Sequence, residues 1–462
     1  MRLLAPLAAA LLLALSPVQA RDWTVPADTG VIGVERAQLE PGYWVSRLPQ
    51  ADRVVLDANA IAKQNARLYA LDRSMHDLAA LPASLPRATV APWVQKLSSP
   101  PKSPLFDARG RAIDAKAVAA IVANADVAGI AATRTTRYGL VVHRAPLRGF
   151  PTLQPAFSSA GDRDIDRFQE SALFPGDPVA VAHESRDGKW WFVVSPRYAA
   201  WVEKRHVALG DRDTVLGHAR KTPYRIVTGG EVHTVFTPEA PAVSELQLDM
   251  GVRVPVRADW PVADSVNGQH GYTSHVIELP VRNADGSLAF SPALLPRIEP
   301  TSADYLPLTQ ANIIRQAFRF LGERYGWGHD FNGRDCSGFV SEVYRSMGVE
   351  LPRNTSDQAV SPAFNRIALT KNDSREKRLA LVRELQPGDL IYIPGHVMMA
   401  IGQVDGEPYV IHDTTGLSWR DADGTARRAK TNGVTVSPLT PLMFNGSESF
   451  VDRITNIQRI RP

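Results

Sequence analysis

Hydrophobic and polar residues follow three different rhythms along this chain, and each rhythm predicts a different kind of element. From Asp52 to about Leu81 the apolar positions Val55, Ala58, Ile61, Ala62, Leu68 and Leu71 recur at near-helical spacing, and a second helical patch covers Ala115 to Ala125. Between them runs a Pro-rich stretch with Leu85-Pro86, Ala91-Pro92 and Ser99-Pro100-Pro101-Lys102-Ser103-Pro104, expected to be a stiff interruption. From Ala131 to about Glu299 short apolar runs alternate with turn signals. Val179 to His183 leads through Asp187-Gly188 to Trp190-Trp191-Phe192-Val193-Val194, which predicts a β-hairpin. Trp201-Val202 follows, and the rhythm returns at Val252 to Val256 and at Tyr272 to Ile277. Two small β-barrels in tandem are expected, although rhythm does not tell one small barrel type from another. From about Asp304, Ala311 to Leu321 reads as a helix with Ile314, Ala317, Phe318 and Leu321 on one face. A second helix begins at Cys336, and strands follow at Asp389 to Ile393, Val397 to Ile401 and Tyr409 to His412. Helices first and strands afterwards predict an α+β domain.

Composition narrows the class. A chain of 462 residues is expected to divide into several domains, each with its own core. An apolar fraction of 44% and a charged fraction of 22% exclude a mostly disordered or fibrous chain. With 52 Lys and Arg against 48 Asp and Glu the formal charge is +4, and no basic cluster points to a nucleic-acid partner. Arg2, the apolar stretch Leu3 to Leu15 and Val18-Gln19-Ala20 have the anatomy of a secretory signal peptide cleaved after Ala20. The mature protein is therefore expected in the periplasm or outside the cell. No later segment has the length and purity of a transmembrane helix, so no integral membrane segment is expected in it.

Cys336 is the single cysteine, which excludes an intramolecular disulfide and any multi-cysteine metal site; no cofactor is expected. Exported proteins usually pair their cysteines, so a lone thiol is either buried and inert or put to chemical use. The surroundings favour use. In Gly333-Arg334-Asp335-Cys336-Ser337-Gly338-Phe339 the Asp is a good N-cap, Phe339, Val343 and Met347 share a helical face, and Gly348 is placed to stop the helix. Cys336 then occupies the first turn, where the positive dipole end favours thiolate. A thiolate nucleophile needs a base and an orienting group. His396 opens one apolar strand and His412 ends the next, so adjacent antiparallel strands place the two imidazoles side by side. His396 would take the thiol proton and His412 would hold its ring. His329, near Cys336 in sequence, is a third candidate that spacing alone does not rank below the others.

Leu321-Gly322-Glu323-Arg324-Tyr325-Gly326-Trp327-Gly328, the Asp335 to Phe339 run, Leu351 to Ser356 with Gln358, Gln386 to Ile391, and His396-Val397 together resemble the NlpC/P60 cysteine peptidases. The resemblance implies a papain-like catalytic domain with Cys336 as nucleophile, His396 as base and His412 as the third, orienting residue. The remainder resembles a multidomain group of murein peptide hydrolases in which a helical segment (21–125) and two bacterial SH3-like barrels (126–210 and 211–303) precede the catalytic domain (304–462). That group cleaves the bond between γ-D-glutamate and a diamino acid in peptidoglycan stem peptides. By the same resemblance the first barrel helps read a free L-alanine amine, with Asp335, Ser337, Tyr325, Glu170 and Tyr198 as substrate-binding residues. A monomer is expected. The alternatives are a non-catalytic cell-wall-binding protein, or an amidase or acyltransferase using the same dyad. The chain departs from the family in having His329 where a second glycine is common. Residues 361–386, strongly charged from Lys371 to Lys377, are expected to form a solvated loop.

Overall fold

The computed structural model describes residues 23–444 and 447–461. The signal-peptide reading of residues 1–20 lies outside the described residues. Among them, no helix is long and apolar enough to cross a membrane.

The N-terminal segment contains α1 (Ala58–Leu71), α2 (Arg87–Leu97) and α3 (Ala115–Asn124). Asp57 and Asp114 cap α1 and α3, accepting from the third backbone N–H that follows. The Pro-rich stretch, expected to be an interruption, holds α2 with Pro92 inside it. Val90 and Val94 are buried against Leu85, Tyr138 and Trp201, and that burial offsets the one helical hydrogen bond Pro92 removes. Apolar faces here are shared outwards: Ile61 and Leu68 of α1 join the core around Phe339, while α2 joins the core of the strands that follow.

Those strands are β1 (Arg137–Val141), β2 (Ala145–Arg148), β3 (Gln169–Leu173), β4 (Pro178–Glu184), β5 (Trp190–Val194), β6 (Ala199–Glu203) and β7 (Val207–Gly210). They form one antiparallel sheet in the order β7-β1-β4-β5-β6-β2-β3. The β4–β5 hairpin falls where the alternation placed it, with its turn at Asp187-Gly188. A middle segment follows, made of short antiparallel pairs, of which Ser274–Arg282 with Leu288–Pro296 is the longest. Its core is Val227, Leu248, Val254, Ile277 and Leu295.

In the last part, α4 (Gln310–Phe318) and α5 (Cys336–Arg345) pack against a six-stranded antiparallel sheet. The sheet runs β8 (Asn365–Ala368), β13 (Asn456–Arg459), β9 (Leu390–Ile393), β10 (His396–Val404), β11 (Glu407–Thr414), β12 (Gly433–Pro438). Phe339, Val340, Val343 and Tyr344 of α5 meet Val397, Met399 and Ile411 on one face. The other face is covered by α6 (Arg375–Arg383). Residues 361–386 are therefore not a solvated loop. Strand β8 pairs in the sheet, Ser374 caps α6, and Val382 and Leu385 bury on Ile391 and Met398 while Arg375, Glu376 and Lys377 point to solvent.

Candidate active site

Asp335 starts α5: its Oδ1 accepts the Gly338 N–H at 2.8 Å, which holds Cys336 in the first turn. Cys336 is only 5% exposed. Its Sγ receives a hydrogen bond from the Val397 backbone N–H and lies 3.6 Å from Thr355 Oγ1. Beside Val397, at the start of β10, stands His396. Its Nε2 is 2.7 Å from His412 Nδ1 on the neighbouring strand β11, and His412 Nε2 is 3.1 Å from Ser437 Oγ on β12. Three adjacent strands thus carry a chain of polar side chains. With Nε2 committed to His412, Nδ1 is the His396 nitrogen left to accept a proton. Nε2–H then donates to His412 Nδ1, and His412 donates from Nε2 to Ser437 Oγ.

The electrostatics correct one expectation. Burial, reinforced by the Asp335 charge, pushes the Cys336 thiol up to about 12 despite the bonds from Thr355 and Val397. Burial pulls His396 down to about 4, and burial with the neighbouring His396 pulls His412 well below the ordinary imidazole value. The resting site holds a neutral thiol and neutral imidazoles. The helix start does not yield a standing thiolate, because desolvation outweighs a dipole effect of about 1 kcal/mol.

His329, the third candidate base, is placed elsewhere. It is buried under Gly338 with Nε2 3.0 Å from Glu342 Oε1 and Nδ1 accepting from Arg353 Nη2 at 3.0 Å. Both ring nitrogens are used, and burial holds it neutral. Its role is to fasten α5 to the segment bearing Arg353.

Arg353 was not singled out by the sequence, and it organises the other side of Cys336. Asp335 accepts from Arg353 Nη2 at 2.7 Å and Nη1 at 3.2 Å, from Ser337 Oγ at 3.1 Å and from the Gly328 N–H at 3.1 Å. Burial would raise this carboxyl, but the Arg353 charge and hydrogen bonds and the Gly338 N–H bring it to about 2. Asp335 and Ser337 are therefore engaged within the protein, and an amine reaching Asp335 would share it with Arg353. Arg353 Nε also donates to Ser171 Oγ at 2.7 Å, tying the segment after α5 to β3.

On β3, next to Ser171, Glu170 accepts the Tyr198 hydroxyl at 2.6 Å, and burial raises its pKa against that bond. Glu170 and Tyr198, expected to act together, do meet. The loop before Cys336 lies against them. Gly328, at φ +58°, passes so close that a Cβ would stand 2.9 Å from the Glu170 carbonyl carbon, and Trp327 Nε1 donates to the Gln169 carbonyl at 3.0 Å. Tyr325 is buried beside Cys336, Asp335 and Asp413, and burial, followed by these acidic neighbours, pushes its phenol up. It lines a groove of about 530 Å³ with Trp327, His396 and Asp413. Asp413 is 0% exposed and neither oxygen has a hydrogen-bond partner among the described residues. Burial, then the Asp335 and Glu323 charges, hold its carboxyl well above the usual range.

A cysteine at a helix start, facing a histidine-bearing antiparallel sheet, defines the papain-like arrangement. Residues 322–436 match the NlpC/P60 family and residues 152–203 match the SH3 domain of SH3b1 type, so the chain carries an NlpC/P60 domain together with an SH3 domain. The gamma-D-glutamyl-L-lysine dipeptidyl-peptidase of Bacillus cereus is 25% identical over 260 residues, 52% of this chain; the chain spans 66% of that protein's length. A solved structure described as a novel NlpC/P60 endopeptidase from Photobacterium damselae subsp. piscicida shares the fold with a TM-score of 0.71. It is 16% identical, over 90% of this chain and 96% of that one.

Proposed function

We propose that the chain is an exported cysteine peptidase that hydrolyses the γ-D-glutamyl–diamino acid bond of peptidoglycan stem peptides. The observation that carries this reading is the His396–His412–Ser437 chain, whose first member adjoins the Val397 that bonds Cys336 Sγ, together with the Glu170–Tyr198 pair of the first barrel. As Sγ attacks the γ-carbonyl of D-glutamate, His396 Nδ1 takes the thiol proton, and backbone N–H groups at the start of α5 stabilise the oxyanion. His396 then gives that proton to the leaving amine, and a thioester joins the glutamyl group to Cys336. Water, losing a proton to His396, hydrolyses the thioester and restores the thiol. His412 keeps His396 in the tautomer this requires.

Glu170 and Tyr198 hold the free amine of L-alanine, as a buried carboxylate and a hydroxyl suit an ammonium. Residues 21–125, a first barrel over 126–210, a second over 211–303 and a catalytic domain over 304–462 form the working unit, a monomer exported by its leader. The similarity to the gamma-D-glutamyl-L-lysine dipeptidyl-peptidase of Bacillus cereus supports the choice of bond. The test uses a tripeptide, L-Ala-γ-D-Glu-L-Lys, with its amine free or acetylated, and identifies products by mass spectrometry. The free peptide is expected to yield L-Ala-γ-D-Glu and the acetylated one to resist cleavage. Equal turnover of both overturns the role of Glu170 and Tyr198, and cleavage at another bond overturns the assignment.

A further inference from the structure

A second cavity, of about 380 Å³, is walled by the helical segment, the first barrel, the middle segment and the catalytic domain together. Four arginines line it: Arg197, Arg253, Arg345 and Arg353. Arg353 is fully used by Asp335, Ser337, Ser171 and His329. Two carboxylates, Asp177 and Glu350, line the same cavity, and of the other three arginines only Arg345 is paired with one of them. Asp177 accepts from Arg345 Nη2 at 2.9 Å and from the Phe174 N–H at 2.8 Å, and Glu350 accepts the Tyr69 hydroxyl at 2.6 Å.

Two of the remaining guanidinium donors are left over among the described residues. Arg253 gives Nη2 to the Lys221 carbonyl and stacks over the Tyr224 ring at 3.7 Å, with no ion pair among the described residues. The Nη1 atoms of Arg253 and Arg345, and Nδ1 of the buried His218, have no hydrogen-bond partner among the described residues. Arg197 also lacks an ion pair among them, and burial followed by repulsion from Arg345 holds its guanidinium below the ordinary value. The wall is shaped to keep Arg345 there. At Gly251, with φ +80°, a Cβ would stand 2.6 Å from Arg345 Cγ, so only glycine lets that side chain lie against the middle segment.

Unsatisfied guanidinium donors are costly to bury, and three arginines facing two carboxylates, with Arg353 already neutralised by Asp335, leave an excess of positive charge around the cavity. Guanidinium groups match the paired oxygens of phosphates and carboxylates. We propose that this cavity binds an oxyanion, a phosphate or a carboxylate, held by Arg197, Arg253 and Arg345. Its volume admits the oxyanion together with part of the molecule that bears it. Because the walls come from all four parts of the chain, such a ligand braces them against one another, and through Arg353 it lies next to the segment that holds Asp335.

The experiment uses the full chain with Cys336→Ala, so its result does not depend on whether Cys336 cleaves anything. Thermal melting is followed against sodium phosphate and, separately, sodium succinate, with sodium chloride at matched ionic strength as control. A saturable rise in Tm is expected with at least one of the two, and the anion with the lower half-saturating concentration distinguishes phosphate from carboxylate. Arg253→Gln and Arg197→Gln should each weaken that binding at least tenfold, and Arg253→Lys, which keeps the charge, should retain part of it. No rise beyond the chloride control for either anion overturns the proposal. So does an undiminished rise in both Gln variants.

Discussion

Alkylation of Cys336 by iodoacetamide, followed as a function of pH, reads out how the resting site is charged. The thiolate reacts and the thiol does not. Burial lifts this thiol from an ordinary 9.0 to about 12. At any pH below both values, that shift lowers the thiolate fraction roughly 1000-fold. A more basic thiolate is also a better nucleophile, and a Brønsted slope of about 0.4–0.5 returns a factor of roughly 20. The expected rate at neutral pH is therefore roughly 50-fold below that of a free cysteine peptide, rising about tenfold per pH unit to pH 9 without a plateau. Because the chain has one cysteine, intact-mass measurement follows the reaction unambiguously. A plateau with its midpoint below pH 7 would reveal a standing thiolate–imidazolium pair and refute the argument that burial outweighs the helix dipole.

Asp413→Asn should stabilise the protein at neutral pH. The folded-state pKa of Asp413 is raised, so folding takes up a proton and loses stability as pH climbs from the unfolded value toward the folded one; melts should show a gain at pH 7 that shrinks near pH 4, and no gain at pH 7 would count against it. Arg334 is 0% exposed and donates to Glu342, Glu323, Asp249 and the Gly230 carbonyl, so Arg334→Met should cost roughly 3–5 kcal/mol in urea unfolding by stranding buried carboxylates. His412→Ala should lower kcat about tenfold or more with KM little changed, and His412→Asn, which still offers an acceptor to His396 Nε2, should recover part of the loss. Tyr198→Phe should raise KM about tenfold for the free-amine tripeptide through the lost hydroxyl.

Local signals were the readable ones. Asp335 as N-cap, Gly348 at the helix end and the apolar face of α5 lie within a dozen residues of Cys336, and the helix forms where they place it. His396 and His412 sit on consecutive strands of a hairpin, so their meeting needs no long-range information. The roles of Ser437, Arg353 and Asp413 were not legible: Arg353 lies within the Leu351 to Ser356 run and Asp413 follows His412, but neither position shows what the side chain meets, and nothing near Ser437 marks it. Ser437 is delivered by the pairing of β12 with β11, and Arg353 acquires its role only when the loop after α5 folds back on Asp335 and β3. The sheet order was equally hidden, since the last strand, β13, inserts between β8 and β9. Ionisation of Cys336 divides in the same way: the dipole is local and visible, whereas the burial that outweighs it comes from packing against distant strands.

Cys336 and His396 are proposed to cut the γ-D-glutamyl bond. Purified muropeptides incubated with the protein and with its Cys336→Ala variant, with products identified by mass spectrometry, decide this. The prediction is release of L-Ala-γ-D-Glu by the unaltered protein and none by the variant; release that survives Cys336→Ala would contradict it.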